Sequence, residues 1–197
     1  PCMTSEIHPD SGCRLPLVRR EDLDEAGQKV FDHHIAPGSD SLAGLQGPGG
    51  VRLHSPKLSA LLRPVSKYLR FDTGLSTAER EIAIMVTARE MDSRFEWAAH
   101  EPEALRQGVS QATIDIIKFR RPTTGLKESE KIIIDLGREA MVDHKVTSDT
   151  YQRAIKAFGA KKLVDLMGLI GNYMATATLL CVFDNQPPPD APVLPIP

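Results

Sequence analysis

A chain of 197 residues, 41% hydrophobic and 25% charged, is long enough for one domain around a sizeable core. Its net charge of −2 and 5% aromatic content supply neither the basic footprint of a nucleic-acid binder nor a stacking platform for single strands. Three irregularly spaced cysteines, Cys2, Cys13 and Cys181, exclude a disulfide framework, a C-x-x-C redox centre and a zinc knuckle, and they fit a reducing, cytoplasmic setting.

Residues 1–18 read as an irregular arm, which makes Cys2 and Cys13 poor candidates for a buried nucleophile; the arm lacks the basic and apolar regions of a signal peptide. Glu21 to Ile35 has helical spacing, with Leu23, Ala26, Val30 and Phe31 on one side. His33 and His34 close that helix as surface residues. Adjacent helical side chains point about 100° apart, which suits joint ligation poorly, so no metal is expected. Residues 37–50 form a glycine-rich loop that lacks the Lys-Ser/Thr ending of a phosphate loop. Ser55-Pro56 starts a helix running to about Arg70, which Pro64 is expected to kink or split. Helices follow at 76–91 and 93–107, the second expected to bend at Pro102. A short helix covers 111–118, a linker 120–125, and further helices 127–144, 148–158 and 160–183.

Leu166 to Phe183 holds 18 uncharged residues, but its glycines, Asn172 and threonines, with Asp165 and Asp184 at its ends, make it a core or subunit-interface helix rather than a membrane span. The tail, 186–197, has six prolines and is extended, either solvated or packed on a neighbouring subunit. Period-two alternation and internal repeats are absent from the sequence, so the fold class is all-α, a single helical domain over 19–185.

The most informative stretch is 76–100. Glu81 sits near the start of an apolar helix; after a short break Glu96 and His100 stand four residues apart, on one helix face. Two carboxylates and an imidazole in this arrangement make a proton-transfer site of side chains alone. Each also has a plainer reading. Ser93 to Glu96 matches a capping box, as Ser76 to Glu79 does. His100 would serve equally as a core histidine, and Glu81 as a partner of Arg80 or Arg89.

With the helices placed, the chain resembles the carboxymuconolactone decarboxylase family, which includes the alkylhydroperoxidase-D-like proteins. The resemblance covers about residues 18–190. It rests on His54-Ser55-Pro56-Lys57-Leu58, Tyr68-Leu69-Arg70-Phe71, Arg80-Glu81-Ile82-Ala83-Ile84, Phe95-Glu96-Trp97-Ala98-Ala99-His100 and Leu169-Ile170-Gly171-Asn172-Tyr173, all in order. The hydroperoxidase branch places two cysteines between its Glu and His; this chain has Ser93 and Glu96 at those positions, which removes thiol peroxidase chemistry and leaves the proton relay.

The resemblance implies an oligomeric alkylhydroperoxidase-D-like helical bundle and a cofactor-free lyase or decarboxylase-like enzyme using His100, Glu96 and Glu81 on a carboxylated or lactone-type small molecule. The alternatives are an isomerase, dehydratase or cyclase on the same site, or a non-catalytic oligomeric ligand-binding protein. The expected partners are a small-molecule substrate and further copies of the chain, with neither nucleic acid nor membrane. His54 is expected as a further polar group of the site and Tyr173 as a wall with a usable hydroxyl. Arg94 competes with Arg80 and Arg52 to bind a substrate carboxylate. Trp97 is either a site wall or a core anchor.

Overall fold

The computed structural model describes residues 6–196, and Cys2 lies outside them. Among the described residues there are eight α-helices: α1 (Glu25–Ile35), α2 (Pro48–Arg52), α3 (Pro56–Phe71), α4 (Thr77–Glu90), α5 (Arg94–Arg106), α6 (Gln111–Lys118), α7 (Glu128–Arg138) and α8 (Ser148–Val182). The fold is all-α. Helix α8 is two helices joined at Gly159, whose φ of 69° interrupts it. That is the break between 148–158 and 160–183 that the spacing predicts.

Helix α4 is the axis of the core. Every residue from Arg80 to Arg89 is buried, so the helix is enclosed on all sides by α5, α6, α7 and α8. Ser76 caps it in a complete capping box with Glu79, which satisfies two of the free amides of its first turn. Gly137 on α7 lets that helix approach: a Cβ there would meet Val86 Cγ1 at 2.6 Å. A second, smaller cluster of Leu23, Val30 and Leu53 joins α1 and α2, with Ala60 of α3 packed against it.

Pro64 and Pro102 do not split their helices; α3 and α5 run through them. Residues 48–50, expected as the end of a loop, instead begin α2, with Pro48 at its first position and a glycine pair behind it. A Cβ at Gly50 would lie 1.8 Å from the Leu45 carbonyl oxygen, so the turn closes only around glycine.

The long α8 is apolar enough in composition to cross a membrane. Its inner face, Leu163, Leu166, Leu169, Ile170 and Tyr173, is buried in the same cluster as α4. The N-terminal arm and the proline-rich tail are both tied to the body. Cys13 is buried and Arg14 N–H donates to the Phe183 carbonyl at 2.8 Å. Leu194 is inserted in the main core, and Arg89 donates to the Pro195 carbonyl at 2.6 Å. Prolines lack donors but keep carbonyl acceptors, so a proline-rich strand packs wherever an arginine and an apolar socket meet it.

Candidate active site

The site is set by the reversal between α4 and α5. Asp92 takes a left-handed backbone (φ 48°), which aspartate tolerates. Its carboxylate is held by Arg89 at 2.5 Å and Arg120 at 3.3 Å. This tight turn lays the start of α5 back along α4 and brings Glu81 against His100.

His100 Nδ1 meets Glu81 Oε2 at 2.8 Å, and its Nε2 faces Glu96 Oε2 at 3.5 Å. The Arg80 guanidinium holds the other Glu81 oxygen at 3.0 Å and also donates to the Arg70 carbonyl at 3.1 Å. All four side chains are buried. An ionised Glu81 accepts from both neighbours, so the imidazole proton is fixed on Nδ1 and the Nε2 lone pair points to Glu96. Glu96 forms no capping box: Ser93 makes no side-chain cap bond, which leaves the carboxyl turned to His100. Tyr173 from α8 stacks edge-on against the His100 ring, centroids 5.3 Å apart at 83°.

These groups open into a cavity of about 210 Å³. Glu96, His100, Phe95 and Ala99 of α5 form one wall, and Asn172, Tyr173 and Thr176 of α8 another. The rest comes from α1, α2, α3 and the loop between α1 and α2, including His33, His34, Asp40, Arg52, Arg63, Lys67 and Arg70. Glu81 stands behind His100 and does not line the cavity. Arg52 donates to Thr176 Oγ1 at 2.5 Å and makes no ion pair among the described residues. Burial lowers its pKa, an effect that Glu96 opposes. Burial raises the Tyr173 pKa, so its phenol is a neutral donor at ordinary pH.

Glu96 is also pushed up by burial, against the pull of His100, Arg52 and Arg70. The folded state therefore binds a proton that the unfolded state has already released. Stability is lost as pH rises from the free glutamate value of about 4.3 through the raised folded value. Replacing Glu96 with Gln is expected to raise Tm at pH 7 by at least about 2 °C, the effect of roughly 1 kcal/mol in a domain of this size. The gap between variant and wild type should close as thermal scans approach pH 4.

Three residues named from the sequence lie elsewhere. His54 is exposed and its Nε2 contacts the Pro16 carbonyl at 2.9 Å, pinning the N-terminal arm. Arg94 is the first residue of α5 and faces solvent. Trp97 is fully buried, hydrogen-bonded to Glu101 and capped by the Lys118 ammonium 5.6 Å from its ring, a core anchor. Conversely, His33 and His34 are cavity residues rather than surface ones. The loop after α1 folds back over the helix end, tied by Asp40 to His33 at 2.8 Å and by Arg70 to the Asp40 carbonyl at 3.1 Å. Their adjacency at a helix end, next to a glycine-rich loop, is the sequence signal for this. Among the described residues no group of three His, Cys, Asp or Glu side chains converges as a metal site.

Residues 56–131 match the family model described as the carboxymuconolactone decarboxylase family. A crystal structure described as an alkylhydroperoxidase AhpD core, an uncharacterized peroxidase-related protein from Ralstonia eutropha JMP134, is similar in fold. It has a TM-score of 0.72 at 13% identity, over 93% of this chain and 95% of that one. No curated protein matches the chain. The structural likeness shows the fold, and the family model matches less than half of the chain.

Proposed function

We propose that this chain, whose residues 56–131 carry the carboxymuconolactone decarboxylase family segment, is a cofactor-free lyase of the decarboxylase type acting on a carboxylated or lactone-type small molecule. The observation that supports it is the Arg80–Glu81–His100–Glu96 chain, which ends in a cavity that also presents Arg52 without a carboxylate partner. Arg52 holds a substrate carboxylate. Loss of CO₂ breaks a C–C bond and leaves its electron pair in the adjoining unsaturated system. The Tyr173 phenol donates to the enolate-like oxygen that develops. Glu96, whose burial favours the protonated form, delivers a proton to carbon and, once a carboxylate, regains one from water in the cavity; His100 Nε2 accepts from its protonated carboxyl and orients it, while Glu81 holds the ring. Among the described residues a peroxide-reducing reaction has no cavity thiol to use, since neither Cys13 nor Cys181 lines the cavity.

The test is a panel of β,γ-unsaturated and γ-lactone carboxylic acids, followed by CO₂ release and by ¹H NMR. Turnover with CO₂ supports the lyase. Turnover without CO₂ replaces it with an isomerase, dehydratase or cyclase. Saturable binding with no chemistry on any member gives the ligand-binding protein instead.

Self-association is part of the same proposal. Leu58, Leu61, Val65 and Tyr68 recur along the exposed side of α3, and Val164 is 69% exposed on α8. Light scattering at micromolar concentration is expected to give a multiple of 21.6 kDa, and a monodisperse monomer would refute this part of the reading.

A further inference from the structure

Decarboxylation needs a proton delivered, and the α5 wall supplies it. The cavity holds another titratable group that this chemistry leaves unused. His34, in the last turn of α1, lines the same cavity as Glu96, His100 and Arg52. Its Nδ1 is buried with no hydrogen-bond partner among the described residues. The ring is held by shape: a Cβ at Gly49 would fall 2.5 Å from His34 Cε1, so the imidazole rests directly on the glycine of α2. Gly47, two residues earlier, lets the Phe95 ring approach its Cα in the same way, at 3.3 Å from where its Cβ would stand. His34 of α1 and Phe95 of α5 thus both pack on this glycine-rich segment, and both line the cavity. His33 beside it is engaged by Asp40; His34 has a tilted ring contact with His33, centroids 5.8 Å apart, and its Nδ1 stays unpaired among the described residues.

We infer that His34 is a general base, taking a proton from the carbon next to an activating group in a substrate whose carboxylate lies on Arg52. This inference rests on the proton-transfer reading of the cavity and extends it. With a base on α1 and an acid on α5, the site moves a proton between two carbons, the chemistry of double-bond migration or enolisation in an unsaturated acid. In the first step the C–H bond breaks, its pair enters the activating group, and the proton goes to the imidazole, which becomes a cation. In the second, Glu96 returns a proton at the remote carbon. The charged and titratable groups around His34 are His33 on α1, Asp40 on the following loop, Arg52 on α2 and Arg63 on α3. Burial foremost, then His33 and Arg63, lowers its pKa against the pull of Asp40, which keeps the ring neutral and able to accept.

The probe is 3-nitropropionate, which carries one carboxylate for Arg52 and an acidic carbon beside its nitro group. Abstraction gives the nitronate, and return of a deuteron in D₂O is counted by ¹H NMR. Wild-type protein is expected to accelerate exchange over buffer, with a rate that rises with pH through an ionisation below the usual histidine value of about 6.5. Replacing His34 with Gln should lower the exchange rate by about 10²-fold and remove that ionisation from the profile. Replacing His54 with Gln, outside the cavity, should leave it unchanged. Circular dichroism checks that each variant is folded. Exchange by the His34→Gln variant within twofold of wild type overturns the inference, as does wild-type protein that exchanges no faster than buffer. If exchange is lost in His100→Ala but kept in His34→Gln, the base lies on α5: the inference falls and the lyase reading, judged by its own CO₂ assay, stands.

Discussion

Replacing His100 with Ala is expected to lower kcat by about 10²- to 10⁴-fold while leaving the protein folded. The imidazole stands between two carboxyl groups, and it is the one member of the chain that touches both Glu81 and Glu96. Without it, the protonated Glu96 carboxyl loses the Nε2 acceptor that orients it in the cavity. The ring also packs edge-on against Tyr173, so alanine leaves a hole beside the phenol and adds a packing cost. Replacing Glu96 with Gln should lower kcat by about 10²-fold or more, since an amide cannot deliver the proton. The measurement is steady-state kinetics on whichever acid of the panel turns over, beside urea unfolding of each variant. If His100→Ala turned over normally, the relay would be a structural network and the ligand-binding reading would lead.

The second large effect is on stability. Replacing Glu81 with Ala is expected to cost about 3–5 kcal/mol, the usual penalty for removing one partner of a buried ion pair. Arg80 and His100 both lose their carboxylate acceptor, and among the described residues Arg80 keeps the Arg70 carbonyl and the face of Phe71. Against a total stability of roughly 5–15 kcal/mol, that is enough to leave a sizeable unfolded fraction. Urea unfolding at pH 7 is the measurement. The double replacement Arg80→Met with Glu81→Leu removes both charges and should recover part of the loss. It should not recover activity, because nothing then fixes the proton on His100 Nδ1. Equal stability of Glu81→Ala and wild type would show that the pair is solvated rather than buried.

The α4–α5 unit was legible because its signals are local. A capping box, an apolar helix and an i,i+4 pair lie within 25 consecutive residues, and short-range spacing is what sequence periodicity reports. The ambiguity over Glu96 is resolved by geometry, through an N-terminus where Ser93 does not cap. The α1 side of the cavity was not legible, because it is assembled across the chain. His33, Asp40 and Arg70 meet only when the loop after α1 folds back over its end, a contact with no periodicity to betray it. His54 is the opposite case: Ser55-Pro56 marks the helix start beside it, but its ring is taken by the N-terminal arm, whose course no motif specifies. Arg94 lies beside the motif in sequence but two positions before Glu96, about 200° round the helix from it, and points out. The proline-rich tail carried its decisive residue in plain sight, yet nothing near Leu194 announces the socket it enters.

Trp97 gives the molecule an optical property. It is the single tryptophan, fully enclosed, and the immediate neighbour of Glu96, with a carboxylate on its indole nitrogen and an ammonium over its face. Excitation of the indole band therefore reports from one place, the helix turn that carries the relay. Its emission should be blue-shifted when folded and move to the red as water reaches the ring. The Glu101 and Lys118 charges beside it make the band sensitive to small displacements of α5 as well as to unfolding. Ligand entry at the far side of that helix is thus expected to be visible as a change in native fluorescence, with no label attached.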